Sequence, residues 1–370
     1  MASKAVRIKF NTKDRPEFIK DLRKRVDAYF KDNKISKFAT VGMKVKTVFM
    51  ISLYYVPFIL ILTGVAYNGA FVLAMWAVMG LGMSGIGLTI MHDANHGAYS
   101  KKPRVNNLLG YTMNLLGAYH ITWKIQHNVL HHTFTNVHQT DEDISNEVMR
   151  FSPNEKRKSG YRLQMIYSIF LYGLLSLHRL ISKDFEQLSR YSKLNLLSGQ
   201  GLTFKRALLY SILIKIGYYG LMLVLPMLIL PMAWWVTLVG FLLMHYVSGI
   251  ILALVFQAAH ITDETEFFKV DESGTMENSF AVHQMKTTTN FGTKSKMLTW
   301  FVGGLNHQVE HHLFPSICHV HYSAISKIVE QTAKDHDVVY NNEPTFFTAL
   351  RSHFKFMNKL GMSKYDSEFG

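Results

Sequence analysis

The sequence predicts an all-α integral membrane protein, four transmembrane helices paired into two hairpins, with a polar helical portion gathered on one side. Three observations predict it. First, the 370-residue chain is 48% hydrophobic and 13% aromatic. Second, four apolar stretches, roughly 47–66, 70–91, 207–230 and 233–256, have spanning length, since about 20 apolar residues cross the hydrocarbon core. Third, the links within each pair are short: Tyr67, Asn68 and Gly69 in one, the Pro226 to Pro231 region in the other, and neither holds Lys or Arg. The positive-inside bias then gives residues 1–46, 92–206 and 257–370 a common, cytoplasmic face.

The N-terminal segment 1–46 carries fourteen Lys or Arg against five Asp or Glu, as a cytoplasmic or anionic-lipid-facing segment would. It lacks the short apolar core of a cleaved signal peptide, so the first span is expected to remain in the mature protein. Asp14, Pro16 and Glu17 read as a helix start, and Phe18, Leu22, Val26 and Tyr29 or Phe30 recur at helical spacing. They predict an amphipathic helix at the membrane interface, with packing on the protein's own polar portion as the alternative.

Two weaker apolar stretches follow. Residues 105–122 include Asn106, Asn107 and Asn114, and 163–177 offers about fifteen apolar residues before His178 and Arg179, so both read as interfacial or buried helices rather than crossings. Lys215 falls inside the third span, where it either snorkels to the interface or faces the bundle interior. The expected organisation is a basic segment 1–46, a principal domain 47–340 with polar regions 92–206 and 257–340, and a cytoplasmic tail 341–370.

A net charge of +14 raises the question of nucleic acid, but no nucleic-acid module is visible and the basic residues flank the apolar stretches, which favours a membrane surface. The single cysteine, Cys318, excludes an internal disulfide and cysteine-rich zinc or iron–sulfur sites. Any metal must therefore take nitrogen and oxygen ligands.

Histidine supplies them in three clusters. His92 and His96, four residues apart, share one helix face and can grip one metal or two neighbouring ones. His127 and His131 repeat that spacing, and His132 on an α-helix points about 100° away, so one turn can serve two metals. His311 and His312 form a third pair, with Gln308 where a third histidine would stand, able to ligate or to hold water; His307 is its rival. His260 emerges from the fourth span as His92 does from the second. Eight imidazoles exceed one ion's capacity, so two metals are the economical reading.

Asp141, Asp143 and Glu310 are candidates to orient the second ring nitrogens, or are ordinary loop acids. His245 reads as a packing or polar residue within the bundle. His120, His138, His178, His283, His319, His321, His336 and His353 read as surface residues or supports.

The motifs HDANH at 92–96, HNVLHH at 127–132 and GGLNHQVEHHLFP at 303–315, followed by HVHY at 319–322, resemble the three boxes of membrane fatty acid desaturases, in the subgroup whose third box opens with glutamine. The resemblance runs from about residue 50 to 340. It implies a four-span enzyme whose cytoplasmic di-iron centre uses O₂ and two electrons to insert a double bond into a fatty acyl chain, carried on CoA or on a lipid. By position it makes His92, His96, His127, His131, His132, His311 and His312 iron ligands, with His260 as an additional one and Gln308 in the variant position. It further implies front-end regiochemistry, as in linoleoyl-CoA or delta-6 desaturases. The haem-binding HPGG motif of a fused cytochrome b5 domain does not occur in these residues, so a separate donor, a cytochrome b5 or a ferredoxin, is expected.

Three other readings compete. A membrane zinc protease would use HDANH in the manner of HExxH, but two further clusters would then have no purpose. A non-enzymatic haem or metal carrier would place its ligands within the spans rather than at their ends. A di-iron hydroxylase of a lipid or alkane shares the scaffold and the first hydrogen abstraction.

Overall fold

The computed structural model of the chain describes residues 8–65, 68–145, 147–271 and 273–362. Residues 1–7 of the N-terminal segment, Ala66 at the predicted end of the first span, Tyr67 of the first link and residues 363–370 of the tail lie outside the described residues. Helices dominate; the strands among the described residues are two-residue pieces.

Among the described residues four helices are long and apolar enough to cross a membrane: Val41–Leu62, Gly69–Asn95, Phe204–Ile229 and Trp234–His260. The first starts six residues before its apolar stretch and ends four short of it, and the second and fourth run four residues past theirs, because a helix ends where its backbone bonding ends, not where hydropathy falls. The first starts early because the Thr40 hydroxyl accepts from the Met43 amide at 3.3 Å, taking Lys44 and Lys46 into its opening turns. The second is capped by Asn68, which accepts from the Ala70 amide at 2.8 Å, and it continues through a π-helical turn at Ile86–Ile90. His92 to Asn95 are therefore helical, and His96 caps the end. The fourth runs unbroken to His260.

Of the two weaker stretches, 105–122 breaks into the short helices Pro103–Gly110, Thr112–Leu115 and His120–Lys124, none of spanning length. The other lies in two helical arms, Ser159–Gly173 and Leu175–Lys193, which meet at 62° and reach spanning length and apolarity only as a bent pair.

The chain divides into two compact units interleaved along the sequence. One comprises residues 39–125 and 169–254 and holds most of the spanning helices. Glycines set its packing: a Cβ on Gly82 would lie 2.6 Å from the Tyr54 amide nitrogen, and one on Gly80 2.7 Å from the Met244 carbonyl. The second span thus meets the first and fourth at backbone distance, as small residues permit where lipid supplies no hydrophobic drive between helices. Lys215 faces the interior, its Nζ 3.0 Å from Asp184 Oδ2 and 3.1 Å from the Arg179 carbonyl. Asp184 is buried and also accepts from the Thr122 hydroxyl at 2.7 Å and the Tyr119 amide at 3.0 Å.

The other unit gathers residues up to 38, 126–168 and from 255 onward. Its core packs Phe18, Leu22 and Val26 of the helix Pro16–Asp32 against Ile325, Val329 and Ala333 of Tyr322–Asp335. The amphipathic N-terminal helix therefore spends its apolar face on this protein core rather than on a membrane interface, leaving Lys20, Arg23 and Lys24 outward. Arg25 joins Asp21 and Asp335 along the seam. Two parallel pairings, Lys9–Phe10 with Thr275–Met276 and Asn290–Phe291 with Asn342–Glu343, stitch distant segments. The helix Phe346–Gly361 is tied in by Gln164, donating to the Met357 carbonyl at 2.8 Å, and by the buried Arg150, donating to the Leu360 carbonyl at 3.1 Å.

Candidate metal centre

The second histidine cluster sits on a π-helical turn, Ile125–His131, and this changes its geometry. The His132 amide bonds the His127 carbonyl at 2.9 Å, five residues back. The wider turn brings the His132 ring edge-on to His127, centroids 4.6 Å apart, so His132 joins His127 while His131 diverges from it. Their Nε2 atoms are 3.2 Å apart, and His132 Nε2 lies 2.8 Å from His311 Nε2. Two nitrogens held by one metal at about 2.1 Å could be no more than about 4.2 Å apart, and both spacings fall within that reach.

His131 turns to a second group. One ring nitrogen each of His131, His260 and His312 lies within 4.8 Å of the others. All three rings are buried, and their Nε2 atoms have no hydrogen-bond partner. Each Nδ1, by contrast, is held: His131 by Asp141 Oδ2 at 3.0 Å, His260 by the Thr287 carbonyl at 3.3 Å, His312 by Gln284 Oε1 at 2.8 Å. A buried imidazole nitrogen without a partner is costly, and an Nδ1–H fixed by an acceptor leaves the Nε2 lone pair aimed at a ligand. The donor set fits imidazole-bound metal. His312 also groups with His132 and His311, so one histidine-rich region holds two overlapping sets.

The supporting residues divide. Asp141 is fully buried and accepts from the His131 ring and from the Asn136 and Asp143 amides, each at 3.0 Å. Burial alone would raise its carboxyl, but His131 and the two amides outweigh burial and hold it below the ordinary carboxylate value. Burial likewise pulls the His131 imidazole down, and Asp141 and Asp143 together bring it above its usual value. Asp143 stands 3.8 Å from His131 and accepts from the Gln126 amide. Glu310 faces elsewhere, accepting from Asn290 and Tyr340 at 2.9 Å each. His307 lies against Glu310, at 3.7 Å, and not among the converging rings. Gln308 is buried and neighbours His260. The His312 imidazole is pushed far down, by burial first and then by neighbouring histidines.

In the other unit His92 and His96 stand together, ring centroids 4.8 Å apart, with the Trp123 ring 5.6 and 5.9 Å away. His245 is satisfied at both nitrogens, by Ser176 Oγ and Tyr218 Oη, each at 3.0 Å. His283 and His353 are fully buried rather than superficial, anchored to the Thr135 and Ile261 carbonyls at 2.8 Å each, and burial takes both down to about 4.

Sequence reasoning missed Gln284, Thr287 and Tyr322. The last approaches His311 Nδ1 with its hydroxyl at 3.2 Å, and its place in HVHY just after the third box was the available signal.

The chain matches the fatty acid desaturase family model over residues 45–344. It is 35% identical over 374 residues to an acyl-lipid (8-3)-desaturase of Physcomitrium patens, covering 98% of this chain and 75% of the relative. An sn-1 linoleoyl-lipid 6-desaturase of Synechocystis is 33% identical over 367 residues, covering 96% and 98%. An acyl-lipid (8-3)-desaturase of Mortierella alpina is 30% identical over 361 residues, covering 93% and 78%. The chain belongs to the fatty acid desaturase family and is an oxidoreductase that introduces a double bond into a fatty acyl chain.

Proposed function

We propose that this desaturase is a front-end enzyme acting on linoleoyl-type chains esterified in lipids, with two iron ions and O₂. The observation that carries the metal reading is the convergence of His131, His260 and His312, whose buried Nε2 atoms lack partners while each Nδ1 is held. The proposed ligands are these three with His127, His132 and His311, and with His92 and His96 on the strength of their motif positions. Gln308 is proposed to ligate metal or hold water, with Asp141 and Asp143 as orienting groups and Glu310 as a buried support.

The choice of metal follows from the reaction. Removing two hydrogens from unactivated methylenes needs a strong oxidant, which redox-inert zinc cannot supply and which iron held by these histidines would supply from O₂ and two electrons. The residues do the rest. Asp141 holds the His131 ring, and the Thr287 carbonyl holds that of His260. The Phe256 ring, 5.0 and 4.9 Å from the His131 and His260 rings, presents an apolar wall that helps exclude water.

Lipid-linked substrate and front-end regiochemistry are supported by relatives named acyl-lipid (8-3)- and linoleoyl-lipid 6-desaturases. A separate one-electron donor, a cytochrome b5 or a ferredoxin, is proposed as a partner because the reaction consumes two electrons. The orientation proposed, with both termini and the boxes cytoplasmic, rests on the positive-inside bias.

The test is expression in a host supplied with defined fatty acids and a working electron donor, then mapping of the new double bond. Unsaturation between the carboxyl end and an existing double bond, appearing first in the lipid fraction, is expected. Insertion toward the methyl end, or hydroxylated product, would contradict the proposal.

A further inference from the structure

Gln284 was not among the candidate ligands or supports, yet it is fully buried in the helix Phe280–Thr287 and contacts two histidine clusters at once. Its Nε2 donates to the His132 carbonyl at 3.2 Å. Its Oε1 lies 2.8 Å from His312 Nδ1 and 3.0 Å from the Thr135 hydroxyl, which donates to the His131 carbonyl at 2.7 Å and stands 3.2 Å from His312 Nδ1 as a longer contact. The amide cannot be turned over, because its nitrogen must face a carbonyl that only accepts. Oε1 therefore faces the ring, which makes His312 Nδ1 the donor and leaves its Nε2 bare. His283, the preceding residue, holds the Thr135 carbonyl at 2.8 Å, so the helix grips the 132–135 segment twice.

We propose that Gln284 is a positioning residue of the metal centre: it sets the tautomer and tilt of His312 and locks the third histidine cluster to the second. This rests on the reading of His312 as a metal ligand. The amide also sets charge. His131 is backed by a carboxylate, whereas His312 and His260 are backed by neutral acceptors. A neutral acceptor raises the basicity of the ring it backs less than a carboxylate does.

The experiment titrates the metal-free full-length protein in nanodiscs with Co(II) and follows its visible absorption, comparing the wild type with Gln284→Leu and Gln284→Glu. Wild type should bind two Co(II) per chain. Gln284→Leu, of similar volume but without an acceptor, should bind one of them about 10–100-fold more weakly, with an altered spectrum and unchanged helix content. Gln284→Glu keeps the acceptor toward His312 but turns an oxygen on the His132 carbonyl, so it should recover most, not all, of the affinity lost in Gln284→Leu. Wild-type affinity and spectrum in Gln284→Leu would overturn the proposal, as would equal weakening in both variants. Where Gln284→Leu does not fold, Gln284→Met, which likewise lacks the amide, takes its place, and wild-type affinity and spectrum there overturn the proposal. No Co(II) binding by the wild type overturns the metal reading itself, together with this one.

Discussion

His245 and His260 lie on one helix, both at most 1% exposed, and they teach different things. His245 has a partner on each nitrogen, Ser176 and Tyr218. His260 has the Thr287 carbonyl on one and no hydrogen bond on the other. Burial therefore does not mark a ligand. What separates a structural histidine from a candidate ligand is an open ring nitrogen that also converges with others, since His283 Nδ1 and both His307 nitrogens are open too but belong to no such group.

The sharpest way to break the comparison is to remove each ring. His260→Ala should abolish double-bond formation, measured as product per chain in the defined-fatty-acid host, while the protein stays folded. His245→Phe should keep most activity and lose about 1–3 kcal/mol of stability from the polar groups it strands. Comparable activities in the two variants would erase the distinction.

Next in size is the ion pair of the spanning unit. Lys215→Met leaves the Asp184 carboxylate buried without its nearest cation, which should cost about 3–5 kcal/mol, read as a fall in thermal unfolding temperature. Lys215→Met with Asp184→Asn should regain part of it, since the stranded charge is gone. An unshifted temperature in the single variant would mean that Arg179, 3.3 Å from Asp184, suffices.

Asp141→Asn tests a support rather than a ligand. Iron affinity, by chelator competition, should fall about 10–100-fold with the fold intact. Tyr322→Phe removes only the hydroxyl at His311, worth about 1 kcal/mol, so iron should bind less than tenfold more weakly. The smallest effect is at Glu155, whose carboxyl burial pushes up to about 7 from 4.5. A raised carboxyl is stabilising while protonated, so its contribution is full below 4.5 and is lost as pH rises through about 7. Glu155→Gln should flatten the decline in unfolding temperature between those values, and an unchanged slope would assign the decline elsewhere.

Apolar length made the four spans legible to within a few residues, and the repeated HxxxH spacing made the clusters legible. What the sequence hid has physical reasons. The π-turn at Ile125–His131 is invisible to a 3.6-residue period, so the convergence of His132 with His127 could not be foreseen. The N-terminal helix carries the same apolar stripe whether it meets lipid or protein, and only the fold supplies Ile325 and Val329 to cover it. Lys215 showed its cost in the sequence, but its partner Asp184 lies 31 residues away. Gln284 and Thr287 are ordinary residue types made significant by what tertiary structure sets beside them.

Iron content per chain tests the central claim most directly, measured on wild type, His260→Ala and His245→Phe purified alike. The account predicts two non-haem irons in wild type and His245→Phe, and a clear loss in His260→Ala. Two irons retained in His260→Ala, or haem or no iron in the wild type, would contradict it.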